Sequence, residues 1–384
     1  MLKEWKSKRQ LSLFVALALS AGGGGLLSDF QSAYAADVTG GNVVVDAGHP
    51  APTPVAAGNA HDIPGATDNR NVTGNKLTVN GILLGRDVIG GYTFGNGDAT
   101  GNEVIIENGA GLGNNIEGYG GFSANGNATN NTIILNGTHP SMAGFAFLSG
   151  GRSGNGAADV TTGNTLQIKN KNNGAWAISN FEKMKFVLDS GIASGDTMLT
   201  VSSNSAWQWG AGTRPQTFDW GNIEVENAAT WGTGAGVSKR VTLYTGAALT
   251  LNNYSITSAM HTAGNFEYGL STNTTTPTAS TVSATQIYFD RNQFKNGREE
   301  ITSAGTGIRY GGTSTMGNTT TGNRLKLSGA FIWPNDVMGG YTQSQVGDAT
   351  GNEVIIENGA GRWMTATEKA SFCFQPRGRD PTRW

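Results

Sequence analysis

An asparagine that returns every 27 to 33 residues, always with the same aliphatic pattern behind it, restricts this chain to a fold built by stacking. The asparagine closes a small motif, Thr or Asn followed by Gly or Asn, and stands at Asn75, Asn102, Asn131, Asn164, Asn323 and Asn352. Two places after it comes Leu77, Val104, Ile133, Leu166, Leu325 or Val354, and four places after it Val79, Ile106, Leu135, Ile168, Leu327 or Ile356. The residue directly after it is polar each time: Lys76, Glu103, Thr132, Thr165, Arg324 or Glu353. Apolar residues two apart with polar residues between them describe a strand with one face in a core. One such unit cannot bury its apolar face alone, so successive units must stack and share it.

The repeat continues into a Gly-aromatic element, as in Gly90-Gly91-Tyr92, Gly120-Gly121-Phe122 and Gly339-Gly340-Tyr341. Polar turns such as Gly95-Asn96-Gly97-Asp98 follow. Glycine and asparagine suit corners because both tolerate positive φ. Residues Gly97 to Gly111, GDATGNEVIIENGAG, recur unchanged from Gly347 to Gly361, the mark of a duplication. The expected fold is therefore all-β: a repeat solenoid, read as a right-handed parallel β-helix. An asparagine at one place in every coil would form an amide ladder through the stack. A β-sandwich or barrel of similarly patterned strands is the alternative, and the verbatim repeat weighs against it.

Six segments are expected. Residues 1–35 read as a cleavable signal peptide. Lys3, Lys6, Lys8 and Arg9 precede an apolar stretch from Leu11 to Ala21, and Ala33-Tyr34-Ala35 has the small-x-small pattern of a cleavage site before Ala36. The stretch is shorter than the roughly 18 residues that span a bilayer as a helix. Residues 36–70 form an entry cap, 71–175 a first repeat array, 176–300 an irregular spacer, 301–361 a second array, and 362–384 an aberrant basic tail. The spacer holds Trp176, Trp207, Trp209, Trp220 and Trp231, five of the nine tryptophans. Trp207 and Trp209 would share one face of a strand, where paired rings stack on sugars; packing in a core or cap is the competing use.

Charge and chemistry narrow the function. Residues 36–361 carry 17 Lys+Arg against 24 Asp+Glu, the reverse of a nucleic-acid-binding footprint. Cys373 is the single cysteine, so no disulfide forms within the chain. His49, His61, His139 and His261 are scattered, without metal-ligand spacing, and no HExxH, CxxC or phosphate-binding loop is present. Gly195-Asp196-Thr197 lacks the serine of hydrolase motifs that begin Gly-Asp-Ser. These residues point to no catalytic centre, no metal and no cofactor.

The pattern GGY, turn, GDATGN, alternating strand, NGAG resembles the repeats of passenger domains in large Gram-negative autotransporters (type V secretion). The segment from Asn180 to Val201, NFEKMKFVL…GDTMLTV, is similar to the spacers that follow their repeat arrays. The resemblance covers most of residues 36–361. It implies a β-helix displayed at the cell surface or outer membrane, serving adhesion to a host or bacterial surface glycan or protein, or self-association. Such proteins end in a membrane barrel of about ten-residue alternating strands, and residues 362–384 carry no such pattern. A truncated or frame-shifted product, periplasmic or secreted, is expected on that reading. A polysaccharide-active β-helix enzyme is the alternative, to be distinguished by acidic or basic side chains clustered over adjacent coils.

Overall fold

The computed structural model describes residues 70–362, apart from 82, 85–86, 113–115, 141, 143–145, 204–215, 233–238, 256–259, 264–265, 277–278, 294–297, 315–319, 343–347 and 358–359. Of the preceding residues it describes only the backbone of the strands Val38–Thr39, Asn42–Val45 and Val55–Ala60. Among the described residues there is no α-helix, and parallel sheets form a β-solenoid of about eight turns.

Each regular coil gives one strand to each of three sheets. The longest runs through Asn42–Val45, Lys76–Val79, Glu103–Glu107, Thr132–Asn136, Thr165–Ile168, Lys183–Val187 and Ile223–Glu226, all parallel. A second comprises Val55–Ala60, Val88–Thr93, Ile116–Ser123, Ala146–Ser153 and Ala177–Ser179. The third joins the two-residue strands Val38–Thr39, Val72–Thr73, Ala99–Thr100 and Ala128–Thr129. In register, Leu77 meets Val104, Ile133, Leu166 and Met184 in turn. All five are fully buried, so coil stacking turns separate apolar faces into one core. Ten of the twelve aliphatics picked out by the repeat are fully buried; Val354 and Ile356 are not.

The asparagines form the expected ladder. Asn75 donates its backbone N–H and its Nδ2 to Asn102 Oδ1, both at 3.0 Å. Asn102 repeats this to Asn131 Oδ1 at 2.9 and 3.0 Å, and Asn131 to Asn164 Oδ1 at 2.8 and 3.3 Å. The Nδ2 groups of Asn102, Asn131 and Asn164 also reach back to a carbonyl of the preceding coil, Val72 O at 3.0 Å, Ala99 O at 2.9 Å and Ala128 O at 2.9 Å, while that of Asn75 reaches Thr73 O at 3.2 Å. These side chains are at most 1% exposed. A buried amide is tolerated there because it spends its donors and its acceptor within the stack.

The ladder explains the glycine pairs, and the reason differs from the corner argument. A Cβ on Gly91 would lie 2.5 Å from the Asn102 side chain, and one on Gly121 2.7 Å from Asn131 Nδ2. On Gly90 it would lie 2.3 Å from Gly120 O. These glycines lie in strands and admit close neighbours; positive φ belongs instead to the glycine before each ladder asparagine. Gly74, Gly101, Gly163, Gly322 and Gly351 have φ between 64° and 71°, and Asn130, which takes the same place in its coil, has φ 57°.

The expected irregular spacer begins as solenoid. Ala177–Ser179, Lys183–Val187 and Ile223–Glu226 continue the two longer sheets, and Asn173–Ala175 with Thr197–Val201 opens another, parallel to Lys239–Asn252. That last strand then pairs antiparallel with Thr281–Gln293, which pairs antiparallel with Phe266–Thr272. Phe266–Thr272 and Thr281–Gln293, neighbours in sequence across the polar, Thr-rich residues 273–280, satisfy each other's backbone groups locally, so the coil geometry is abandoned. Trp220 and Trp231 fill this region's core. Trp220 packs edge-on to Tyr254 at 4.9 Å and Trp231 to Phe289 at 5.7 Å. Their indole N–H groups reach Ser255 O and Ile192 O. Trp176 is half-buried. The second array resumes with Arg298–Ile301, Arg324–Ser328 and Glu353–Glu357, its ladder reduced to Asn323 on Asn352.

Candidate functional site

The sequence-derived sugar platform, Trp207 and Trp209, lies outside the described residues, as do Ala33, Ala35 and Ala36 of the expected cleavage site and Cys373. The structure assembles a different aromatic surface. On the second sheet Asn59, Tyr92, Phe122 and Arg152 occupy one register position in four successive coils. Parallel strands repeat at about 4.8 Å, which is the spacing of stacked rings. Tyr92 and Phe122 accordingly lie 5.0 Å apart and 19° from parallel. Two residues beyond Tyr92, Phe94 adds a ring 6.5 Å away. Phe94 is 48% exposed, whereas Tyr92 and Phe122 are half-buried.

Arg152 closes one end of this surface. Its guanidinium lies 5.3 Å from the centroid of the buried Tyr119 ring and 5.5 Å from that of Phe122. Nη1 donates to Glu117 Oε2 at 3.0 Å and to Tyr119 Oη at 2.5 Å. A guanidinium over aromatic faces contributes about 0.5–2 kcal/mol depending on desolvation. The strand is tied to the coil before it by Asp87 Oδ1, which accepts the Glu117 N–H at 3.0 Å. Burial pushes the Glu117 carboxyl above its ordinary value; Arg152 opposes that shift and Asp87 adds to it. Burial likewise raises the Tyr92 hydroxyl. Arg152 is thus committed to Glu117, and the patch offers flat, weakly hydrated rings rather than an uncompensated cation.

The long sheet's outward face is organised differently. Charges that seemed merely varied along the sequence are paired between coils: Lys76 with Glu103 at 2.9 Å, Lys185 with Glu226 at 2.8 Å, Arg324 with Glu353 at 2.8 Å. Exposed pairs of this kind add little stability, but opposite charges facing each other across strands favour one register over its neighbours. In the second array Lys326 lies between carboxylates of both neighbouring coils, Glu300 at 3.1 Å and Glu357 at 2.6 Å. Among the described residues no group of three or more His, Cys, Asp or Glu is placed to hold a metal ion. His139, buried between coils, has Nδ1 2.7 Å from Ala110 O and Nε2 3.1 Å from Ile106 O, a structural tie. Gly195-Asp196-Thr197 leads from a turn into the strand Thr197–Val201, and Asp196 pairs with Lys171 at 2.9 Å.

The aromatic rings at Tyr92 and Phe122 were visible in the Gly-Gly-aromatic element; Arg152 was not. Its signal is Gly150-Gly151-Arg152, the same glycine pair one coil later, which identifies the register once the chain is aligned on its glycines. Among the described residues no helix is long and apolar enough to cross a membrane. No protein-family model matches the chain, and neither does any curated protein or solved structure.

Proposed function

We propose that this chain is an exported adhesive module, akin to an autotransporter passenger, that engages neutral carbohydrate through the Tyr92–Phe122–Phe94 surface and performs no catalysis. The observation that carries the reading is the in-register ring stack beside a guanidinium already neutralised by Glu117. Aromatic faces release poorly held water and meet the C–H faces of sugar rings, and a compensated charge gives no preference for anions. The signal-like N-terminus and the repeat style support export; secretion to a cell surface follows from the resemblance alone.

Depletion of the full chain by insoluble cellulose, chitin, mannan or xylan tests it. Binding to at least one is expected, with Phe94→Ala and Phe122→Ala each weakening it tenfold or more while the β circular-dichroism signal persists. Binding to none of them, or equal binding by both variants, rejects the platform. Reducing ends released from any polysaccharide would instead support the enzyme reading.

A further inference from the structure

Across the long antiparallel strands, one register row gathers cations without a counter-ion. His261 pairs with Tyr268, Tyr268 with Arg291, and Arg291 with Lys239. Residues directly opposite one another share a face of the sheet. The next row inward, Leu270, Phe289 and Val241, is buried apolar core. The cationic row therefore lies at the rim of that core. Arg291 is 4% exposed, Lys239 and Tyr268 are half-buried, and His261 is exposed.

The Lys239 and Arg291 side chains end on the same peptide. Arg291 Nη1 donates to Trp231 O at 2.6 Å, and a Cβ on Gly232 would lie 3.6 Å from Lys239 Nζ. The Phe266 ring centroid is 4.1 Å from the guanidinium. The buried Arg291 Nε has no hydrogen-bond partner, and among the described residues no carboxylate pairs with Arg291 or Lys239. The acids beside this row in sequence belong to the opposite face and are already engaged. Asp290 accepts from Arg240 Nε at 2.5 Å, from Arg240 Nη2 at 2.9 Å and from Ser271 Oγ at 2.5 Å, while Glu267 accepts from Ser314 Oγ at 2.7 Å. The same two strands thus set Arg240 opposite Asp290 and, one residue along, Lys239 opposite Arg291. Like charges directly opposite disfavour a sheet, and a buried charge without a partner is costly. Burial also pulls the Arg291 guanidinium below its ordinary value, with Tyr268 opposing that shift.

We propose that Arg291 and Lys239 form an anion site that takes an oxyanion group (carboxylate, sulfate or phosphate) between the guanidinium edge and the ammonium. With Nη1 committed to Trp231 O, the edge left over is Nε with Nη2, the one by which Arg240 holds Asp290. That edge matches two acceptor oxygens, and the lysine adds a point charge. The site is separate from the Tyr92–Phe122–Phe94 surface, where Arg152 is neutralised by Glu117.

Thermal unfolding of the full chain, titrated with sodium sulfate at an ionic strength held constant with sodium chloride, tests the assignment. The midpoint should rise saturably with sulfate, because the anion binds only the folded chain. Lys239→Gln should weaken the apparent affinity about tenfold, the loss of one charge-assisted contact, and Lys76→Gln, on the outer face of the long sheet, should leave it unchanged. Lys239→Glu places the missing carboxylate opposite Arg291. It should raise the midpoint in chloride alone and abolish the sulfate response, a pair of results that a misfolded variant cannot give. Repeating the titration with phosphate and with oligogalacturonate identifies the carrier. Tighter binding of oligogalacturonate assigns the site to an acidic sugar, and tighter binding of sulfate or phosphate assigns it to a free inorganic anion. A midpoint that responds to none of the three, or that follows ionic strength alone, overturns the proposal. So does a Lys239→Glu chain that melts below the wild type or still responds to sulfate.

Discussion

Replacing Asn102 by aspartate keeps the side chain's shape and reverses the chemistry of one atom. Oδ1 still accepts from Asn75, whose N–H and Nδ2 both lie at 3.0 Å. The former Nδ2, however, becomes an oxygen facing Val72 O and Asn131 Oδ1, each at 3.0 Å. Each of these acceptors loses one donor and faces an oxygen instead, although Asn131 Oδ1 keeps the Asn102 N–H at 2.9 Å; at about 1–3 kcal/mol each, Asn102→Asp should cost about 2–6 kcal/mol at neutral pH. Against a total stability of about 5–15 kcal/mol, that is a large fraction. The sign of the pH dependence follows from the same geometry. Burial and two facing oxygens hold the introduced carboxyl's folded pKa above the unfolded value of about 3.9. The native state therefore binds the proton more tightly, and stability is lost as pH rises from about 4 through the raised value. Urea unfolding followed by circular dichroism at several pH values measures both effects, with Glu103→Gln, one residue away on the outer face, as a control within about 0.5 kcal/mol. A loss below about 1 kcal/mol at pH 7, or a deficit that grows on acidification, would refute the claim that the ladder's donors hold the coils together.

Gly91→Ala should cost about 1–3 kcal/mol, because its methyl would meet the Asn102 amide at 2.5 Å. Gly74→Asn should stay within about 1 kcal/mol, since an asparagine already adopts that conformation at Asn130; similar thermal shifts for the two would show that close approach is not what the glycine pairs provide. Burial lowers the His139 pKa, with the two carbonyls and Glu107 opposing it. The unfolded chain then binds more protons below about pH 6.5, and His139 removes stability as pH falls through that value toward its folded pKa. The wild type should lose up to about 1.4 kcal/mol per pH unit more than His139→Gln in that window, and parallel slopes would contradict it.

Much of the solenoid was readable from the chain because its determinants are local. The alternation behind each ladder asparagine states which side chains point inward, and the 27–33-residue return states that inward faces must stack. Lys76 and Glu103 on the outer face and Leu77 and Val104 in the core were placed by period alone. Tertiary structure decided whatever depends on neighbours from other coils. The glycine pairs are needed because an asparagine from the following segment of the coil packs against them, a contact that no local pattern announces. Arg152 joined Tyr92 and Phe122 only when stacking set the register across two coils of thirty residues each. Trp220 and Trp231 became core because the chain left the coil path after Glu226 and folded long strands back over it. Ile106 and Ile356 make the distinction sharpest. Their surrounding fifteen residues are identical, yet one is fully buried and the other 44% exposed. Sequence determines which way a strand's side chains point; only the packed neighbours determine whether anything covers them.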